Sequence, residues 1–274
     1  METRFIKQIK HKKSVLFLFF AFLSLYCHSE SDFGIWTEAG VEKKLAPGVL
    51  VDFAAEYRMR NNLEAIDRFS LGSGLSYRLY RNKEKTFSAK CGIDYKFIRS
   101  HILSSITLKK IVSGFQEYNE DDTYWISRHR ASLSLSAGLS LARFKISLRE
   151  RYQFTYNDGQ YVKETKYRYS SIFYTLRPSG EEKEWKSAKL VNVLRSRLEL
   201  DYDIPSFKMN PFVSVEFFND IDNRLNLEKI RWRVGGEYSI NKSHNFVVYY
   251  QFQNYSDQDE VAGHVVGAGY LFQF

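Results

Sequence analysis

The stretch Thr86–Phe97, TFSAKCGIDYKF, puts Phe87, Ala89, Cys91, Ile93, Tyr95 and Phe97 on one parity. Ser88, Lys90, Gly92, Asp94 and Lys96 fall on the other. Successive side chains of a strand point to opposite faces, so this reads as a strand with one apolar and one charged face. The pattern recurs along the chain. LRSRLELDYDI sets Leu194, Leu198, Leu200, Tyr202 and Ile204 against Arg195, Arg197, Glu199, Asp201 and Asp203. IRWRVGGEYSI sets Ile230, Trp232, Val234, Tyr238 and Ile240 against Arg231, Arg233 and Glu237. Eleven segments alternate in this way: 33–45, 49–60, 67–80, 86–99, 125–141, 143–156, 188–204, 210–219, 225–240, 244–255 and 260–274. Tight turns at 46–48, 81–85, 205–209 and 241–243 take turns with longer, charged connections at 100–124 and 157–187. Shorter polar connections lie near 61–66, 220–224 and 256–259. No segment of similar length has a helical period. The chain reads as one all-β domain of consecutive hairpins.

Alternation does not say which face meets solvent, because a soluble ligand-binding barrel alternates too. Four features decide for a transmembrane barrel. Many segments exceed the usual strand of about 5–6 residues and suit a tilted membrane strand of about 9–11. Short turns at one end and long loops at the other are the outer-membrane arrangement. The polar face carries charges of mixed sign, which suits a hydrated or ion-paired lumen. Aromatics make up 16% of residues and recur near strand ends, as in interfacial girdles. An apolar surface this large is an aggregation hazard in water and a requirement in lipid. The terminal stretch VVGAGYLFQF puts Val266, Ala268, Tyr270, Phe272 and Phe274 on the lipid parity. An apolar residue at every second place, ending on an aromatic, resembles the C-terminal signal by which Gram-negative barrels are recognised for insertion. Tyr270, Phe272 and Phe274 carry that signal here, and the insertion machinery is the partner it implies.

At the other end, SVLFLFFAFLSLYC (14–27) follows Lys7, Lys10, Lys12 and Lys13. A basic region, a short apolar core and small residues at Cys27 and Ser29 read as a secretory signal cut near Ser29. This divides the chain into 1–29 and a barrel domain, 30–274. Five basic residues and one acid leave with the signal, so the formal +8 falls to +4. No basic run survives to mark nucleic-acid binding. Cys91 is then the one cysteine left, which excludes an internal disulfide. The expected location is the outer membrane of a Gram-negative bacterium.

The mature chain also resembles a family of uncharacterised outer-membrane barrel proteins, carrying a domain of unknown function, in DFGIWTEAGVEKKL, FKISLRERYQF, PFVSVEFFND and HVVGAGYLFQF. The resemblance implies a fold and a location and transfers no catalytic residue. Placing both termini in the periplasm requires an even strand count. Ten to twelve strands are expected, with twelve favoured through a further strand near 167–176.

The candidate functional surface is the lumen ladder: Glu56, Arg58, Lys90, Asp94, Arg149, Arg151, Arg195, Arg197, Glu199, Glu216, Arg231, Arg233 and Glu237. Glu38, Glu42, Asp52, Lys145 and Asp201 share the same parity. Ion pairs there rigidify a narrow barrel, or line a narrow channel. Glu150 breaks the pattern by sharing parity with Leu148 and Tyr152, and a β-bulge near Arg149 is expected to turn it inward. His101, His129, His244 and His264 show no metal-ligand spacing, and no cofactor is implied. An outer-membrane lipid hydrolase is the alternative function, with His129 or His264 acting on a serine.

Overall fold

Each strictly alternating segment forms a strand. The computed structural model describes residues 32–205, 207–254 and 263–274, all within the unit Asp32–Phe274. The expected signal at 1–29 and the polar connection near 256–259 lie outside the described residues. The strands begin with β1 (Asp32–Ala46), β2 (Val49–Arg60), β3 (Ala65–Arg81), β4 (Phe87–Ile102) and β5 (Ser105–Val112). They continue with β6 (Phe115–Asp121), β7 (Tyr124–Leu141), β8 (Phe144–Asn157), β9 (Gln160–Ser170) and β10 (Thr175–Lys186). The last five are β11 (Lys189–Tyr202), β12 (Met209–Asp220), β13 (Asn226–Ser239), β14 (His244–Gln253) and β15 (Gly263–Gln273).

Eleven of these close a barrel in the order β1-β15-β14-β13-β12-β11-β8-β7-β4-β3-β2. The count lies inside the expected range and one below the favoured twelve. The region 167–176 supplies no wall strand, since it is shared between β9, a turn and β10. Nor do the two ends of the barrel sequence lie together. With an odd count, first and last strands run the same way, so β1 and β15 pair in parallel, from Asp32↔Gly263 to Glu42↔Gln273. Every other wall pair is antiparallel. β1 therefore starts at the end with the long connections, while β15 finishes at the end with the tight turns.

The four remaining strands form a second sheet, ordered β10-β9-β6-β5. Each follows or precedes a wall strand after a break of two residues, and the wall neighbours lie in the matching order β11-β8-β7-β4. The two long excursions are thus hairpins that carry four adjacent wall strands past the rim as a flap. The parity resets at the break. Arg128 and Ser132 are buried on β7, whereas Glu117, Asn119 and Asp121 are buried on β6.

The barrel exterior is apolar. Leu71, Ile93, Leu133, Leu135, Leu198 and Val248 are exposed at the middle of their strands. Aromatic contacts gather near the two ends. Toward the long connections Trp125 stacks on His101 with ring centroids 4.8 Å apart and lies 5.7 Å from Phe69. At the tight-turn end Phe144 meets Tyr202 at 5.0 Å, Phe246 meets Tyr270 at 4.9 Å and Phe272 meets Phe274 at 5.5 Å. Aliphatics between two aromatic belts are the exterior of an outer-membrane barrel.

Candidate functional site: the charged lumen

Because polar residues occupy one parity on every wall strand, closure gathers them inside. Their centre is Glu216 on β12, which is 3% exposed. Its carboxylate accepts hydrogen bonds from Arg195 at 2.9 Å, Arg149 at 3.2 Å and Arg231 at 3.3 Å. Three guanidinium groups thus converge from three strands on one acid, an arrangement that charge-assisted bonds favour. Beside it, Arg58 pairs with Glu56 at 2.8 Å, and Lys96 reaches the same carboxylate at 3.5 Å. Arg68 and Arg60 hold Asp67 at 2.9 and 3.7 Å. Gln251 and Gln253 are almost wholly buried, and Gln251 accepts from Arg233 at 2.6 Å. These side chains pack the lumen on the side of the long connections into a plug.

Of the expected ladder, Glu56, Arg58, Arg149, Arg195, Glu216 and Arg231 meet in this plug. Arg151 pairs with Asp94 at 3.4 Å, Arg197 pairs with Glu199, and Arg233 borders the plug through Gln251. Lys90 and Glu237 are exposed on the tight-turn side and take no part in it. Lys145 and Asp201 form a looser pair there at 3.6 Å, with the lysine largely exposed. The ladder is therefore polarised along the barrel, buried and rich in arginine on one side, more exposed on the other.

Several plug residues lie outside the expected ladder. Trp36 and Phe218 are buried in the lumen, where Arg58 lies 3.6 Å from the Trp36 ring centroid and Arg231 lies 4.7 Å from that of Phe218. Arg233 lies 4.7 Å over Tyr249. Aromatic faces attract cations once water is excluded. The parity of Trp36 with Glu38, and of Phe218 with Glu216, was the available signal. Gln251 and Gln253 were equally legible as the polar parity of YYQFQ.

The bulge expected at Arg149 is absent. β8 keeps an unbroken register with both neighbours, pairing Glu150 with Leu135 on one side and Ser196 on the other. Glu150 therefore stays on the outward face, where the Ser196 hydroxyl donates to its carboxylate at 2.6 Å. A local hydrogen bond replaces the change of register.

The histidines on the exterior join the aromatic belts. His129 and His244 each lie 2.7 Å from a tyrosine hydroxyl, of Tyr95 and Tyr270, and His264 contacts Tyr250. His129 also lies 3.8 Å from Asp158. Ser127 sits two residues along the same face, but its hydroxyl accepts from Arg99 at 2.7 Å. On the flap, Asp121, Glu164 and Glu184 bring ligand atoms within 4.8 Å of one another. Lys186 places its ammonium 2.9 Å from Asp121 and also bonds Glu184, so the chain supplies its own cation there.

Closed all-β architecture, apolar exterior and charged interior define a barrel of the outer-membrane type. The chain belongs to the family described as Protein of unknown function (DUF2490), which it matches over residues 33–262. It is similar in structure to the β-domain of the Bordetella autotransporter BrkA, with 12% identity and a TM-score of 0.43, over 83% of this chain and 82% of that one. It is also similar to the translocator domain of the autotransporter NalP from Neisseria meningitidis, with 10% identity and a TM-score of 0.46, over 78% and 71%. No curated protein matches the sequence.

Proposed function

We propose that this protein is an integral outer-membrane barrel whose lumen is sealed by its own side chains, and which serves as a scaffold for the flap. The observation that carries this reading is the burial of the plug. Arg68, Glu216, Arg231, Gln251 and Gln253 are each no more than 3% exposed inside a barrel of eleven strands. In a barrel of this size side chains can fill the interior, whereas larger porins leave an aqueous channel. The apolar band and the two belts support a location spanning the membrane. The outward Tyr270, Phe272 and Phe274 support recognition by the insertion machinery; Phe274 is 60% exposed.

Planar-bilayer recording tests the sealed lumen against the narrow channel. The expected record is flat, without reproducible steps. Regular unitary steps from the wild-type barrel would replace the scaffold by a channel. The lipid-hydrolase reading has one observation in its favour, the contact of His129 with Asp158 beside Ser127. Fatty-acid release that Ser127→Ala abolishes would establish it, although the bond from Arg99 leaves that hydroxyl poorly placed for attack.

A further inference from the structure

The two hairpins of the flap end side by side. Phe115, at the turn from β5 to β6, stacks on Tyr169 near the end of β9 with ring centroids 5.3 Å apart. Leu108, Tyr118 and Tyr167 stand opposite one another in register across three strands. The turn from β9 to β10 then carries three large apolar side chains in a row: Ile172 is 79% exposed, Phe173 55% and Tyr174 75%. Tyr174 closes this turn by donating its backbone N–H to the Ser170 carbonyl at 2.8 Å, at a φ of 52° that a bulky residue rarely adopts. Single apolar residues on a surface need no explanation, but a contiguous patch at a projecting tip marks an interaction site.

Charge divides the flap in the same sense. The tip half, 108–118 and 167–179, holds Lys109, Lys110, Arg168 and Arg177 against one acid, Glu117. Glu117 is buried and lies 3.7 Å from Arg168. Lys109, Lys110 and Arg177 are exposed, and the Arg177 guanidinium lies 3.8 Å from the Phe173 ring centroid. The half next to the wall is acidic, with seven carboxylates against four lysines over 119–122, 160–166 and 180–186. Cations around an apolar wedge suit an anionic lipid surface, where the apolar groups enter the interface and the bases meet phosphate. The wedge is convex, so it fits a deformable surface better than a preformed pocket.

Reach decides which surface. β5 and β9 have 8 and 11 residues, so at ~3.3 Å per residue they carry the tip about 26–36 Å beyond the rim. At the ~45° tilt of a membrane strand this is still about 18–25 Å, against a headgroup layer of only about 5–8 Å. The tip overshoots the headgroups of the bilayer that the barrel spans. We infer that it docks on a separate anionic lipid surface, inserting Ile172, Phe173 and Tyr174 while Lys109, Lys110 and Arg177 meet phosphate. The inference rests on the scaffold reading and names what the flap is held out to meet.

The test places the full-length barrel in phosphatidylcholine nanodiscs and measures how much of it floats with added vesicles. Vesicles containing phosphatidylglycerol should carry the barrel with them, and vesicles of phosphatidylcholine alone should not. Lys109→Gln combined with Lys110→Gln should weaken the partition by roughly thirty-fold, and salt should weaken it as well. Ile172→Ser combined with Phe173→Ser should weaken it by roughly tenfold or more. Lys183→Gln, in the acidic half, should leave it unchanged. Flotation that is equal for both vesicle types, or absent with both, would overturn the inference, as would an undiminished partition in the double lysine variant. A polarity-sensitive dye attached at Ile172→Cys in a Cys91→Ser background should shift to the blue when the anionic vesicles are added. A shift that instead requires phosphatidylglycerol in the barrel's own nanodisc would assign the tip to its own membrane and overturn the inference. The two readings fail separately. A conducting barrel that still floats keeps the docking tip and loses the seal, while a silent barrel that stays behind keeps the seal and loses the docking tip.

Discussion

At the residue scale, Glu216 is the acid on which the plug turns. Glu216→Gln leaves Arg149, Arg195 and Arg231 facing one another without their shared carboxylate. Breaking a buried ion pair from one side costs about 3–5 kcal/mol. Urea unfolding from vesicles, followed by tryptophan fluorescence, should show a loss of that order; a loss below about 1 kcal/mol, ordinary for a surface change, would mean the cluster is solvated. Gly267 is the second sensitive position. A Cβ added there would meet the Tyr249 ring at 2.0 Å, so Gly267→Val should destabilise by about 1–3 kcal/mol through overpacking, and Tyr249→Ala should relieve it. Glu150 works in the opposite direction. If the exterior meets lipid, as proposed, an acid there is unfavourable, so Glu150→Leu should raise stability in vesicles by roughly 1 kcal/mol, a minor gain because a surface charge on a barrel is depth-dependent. The parity of Glu150 was legible in the sequence. The hydrogen bond from Ser196 that lets it remain there was not, since it comes from a strand more than forty residues away.

At the element scale, the eleven wall strands were legible because each buries one face and exposes the other over at least ten residues. The flap strands were not. TLRPSGEEKEWK is exposed on almost every side chain and contains Pro178 and Gly180, where its register with β9 shifts. SITLKKIV, on the opposite edge, is likewise exposed along nearly its whole length. Edge strands without a buried face leave no period to read. What ties the flap together is local chemistry, above all Lys186. Burial works against its charge, but hydrogen bonds to Glu184 and Asp121 outweigh this and hold its pKa up at about 12. A value raised above the ordinary 10.5 means that the stabilisation is whole below pH 10.5 and is lost as pH climbs through 12. Lys186→Gln should therefore loosen the flap at neutral pH, by about 1–2 kcal/mol, between the values for surface and buried pairs. Trp185, packed 4.9 Å from Tyr161, reports this by its emission. The difference between variant and wild type should shrink as pH rises through 12; a difference that persists unchanged would assign the effect to packing and not to charge.

At the scale of the whole molecule, the sequence pattern points to a closed barrel with an apolar exterior and inward charges, and favours one strand more than the eleven that close it. An even count follows only if both ends of the barrel sequence share one side of the membrane. Nothing in local alternation reveals whether the closing strands run alike or opposed. A direct check is available in a Cys91→Ser background, which removes the free thiol. Ile35→Cys and Val266→Cys stand opposite each other in the parallel register and both point outward. Oxidation should lock the barrel so that boiling no longer shifts it fully to the unfolded mobility. If those cysteines fail to join while a pair set in antiparallel register does, the eleven-strand closure is wrong.

The parallel seam also fixes the order of assembly. Every antiparallel contact in the wall joins strands that are neighbours in the chain or are separated by a single hairpin. The seam joins residues more than two hundred and twenty positions apart. Loop closure over such a span carries the largest entropic cost in the molecule, and contacts of this kind form late. Until they do, β1 and β15 each present an unpaired edge, which in the membrane proposed above hydrocarbon would not tolerate. The half-built sheet therefore needs something to shield two like-directed edges at once, and the same line is where a destabilised barrel should first come undone.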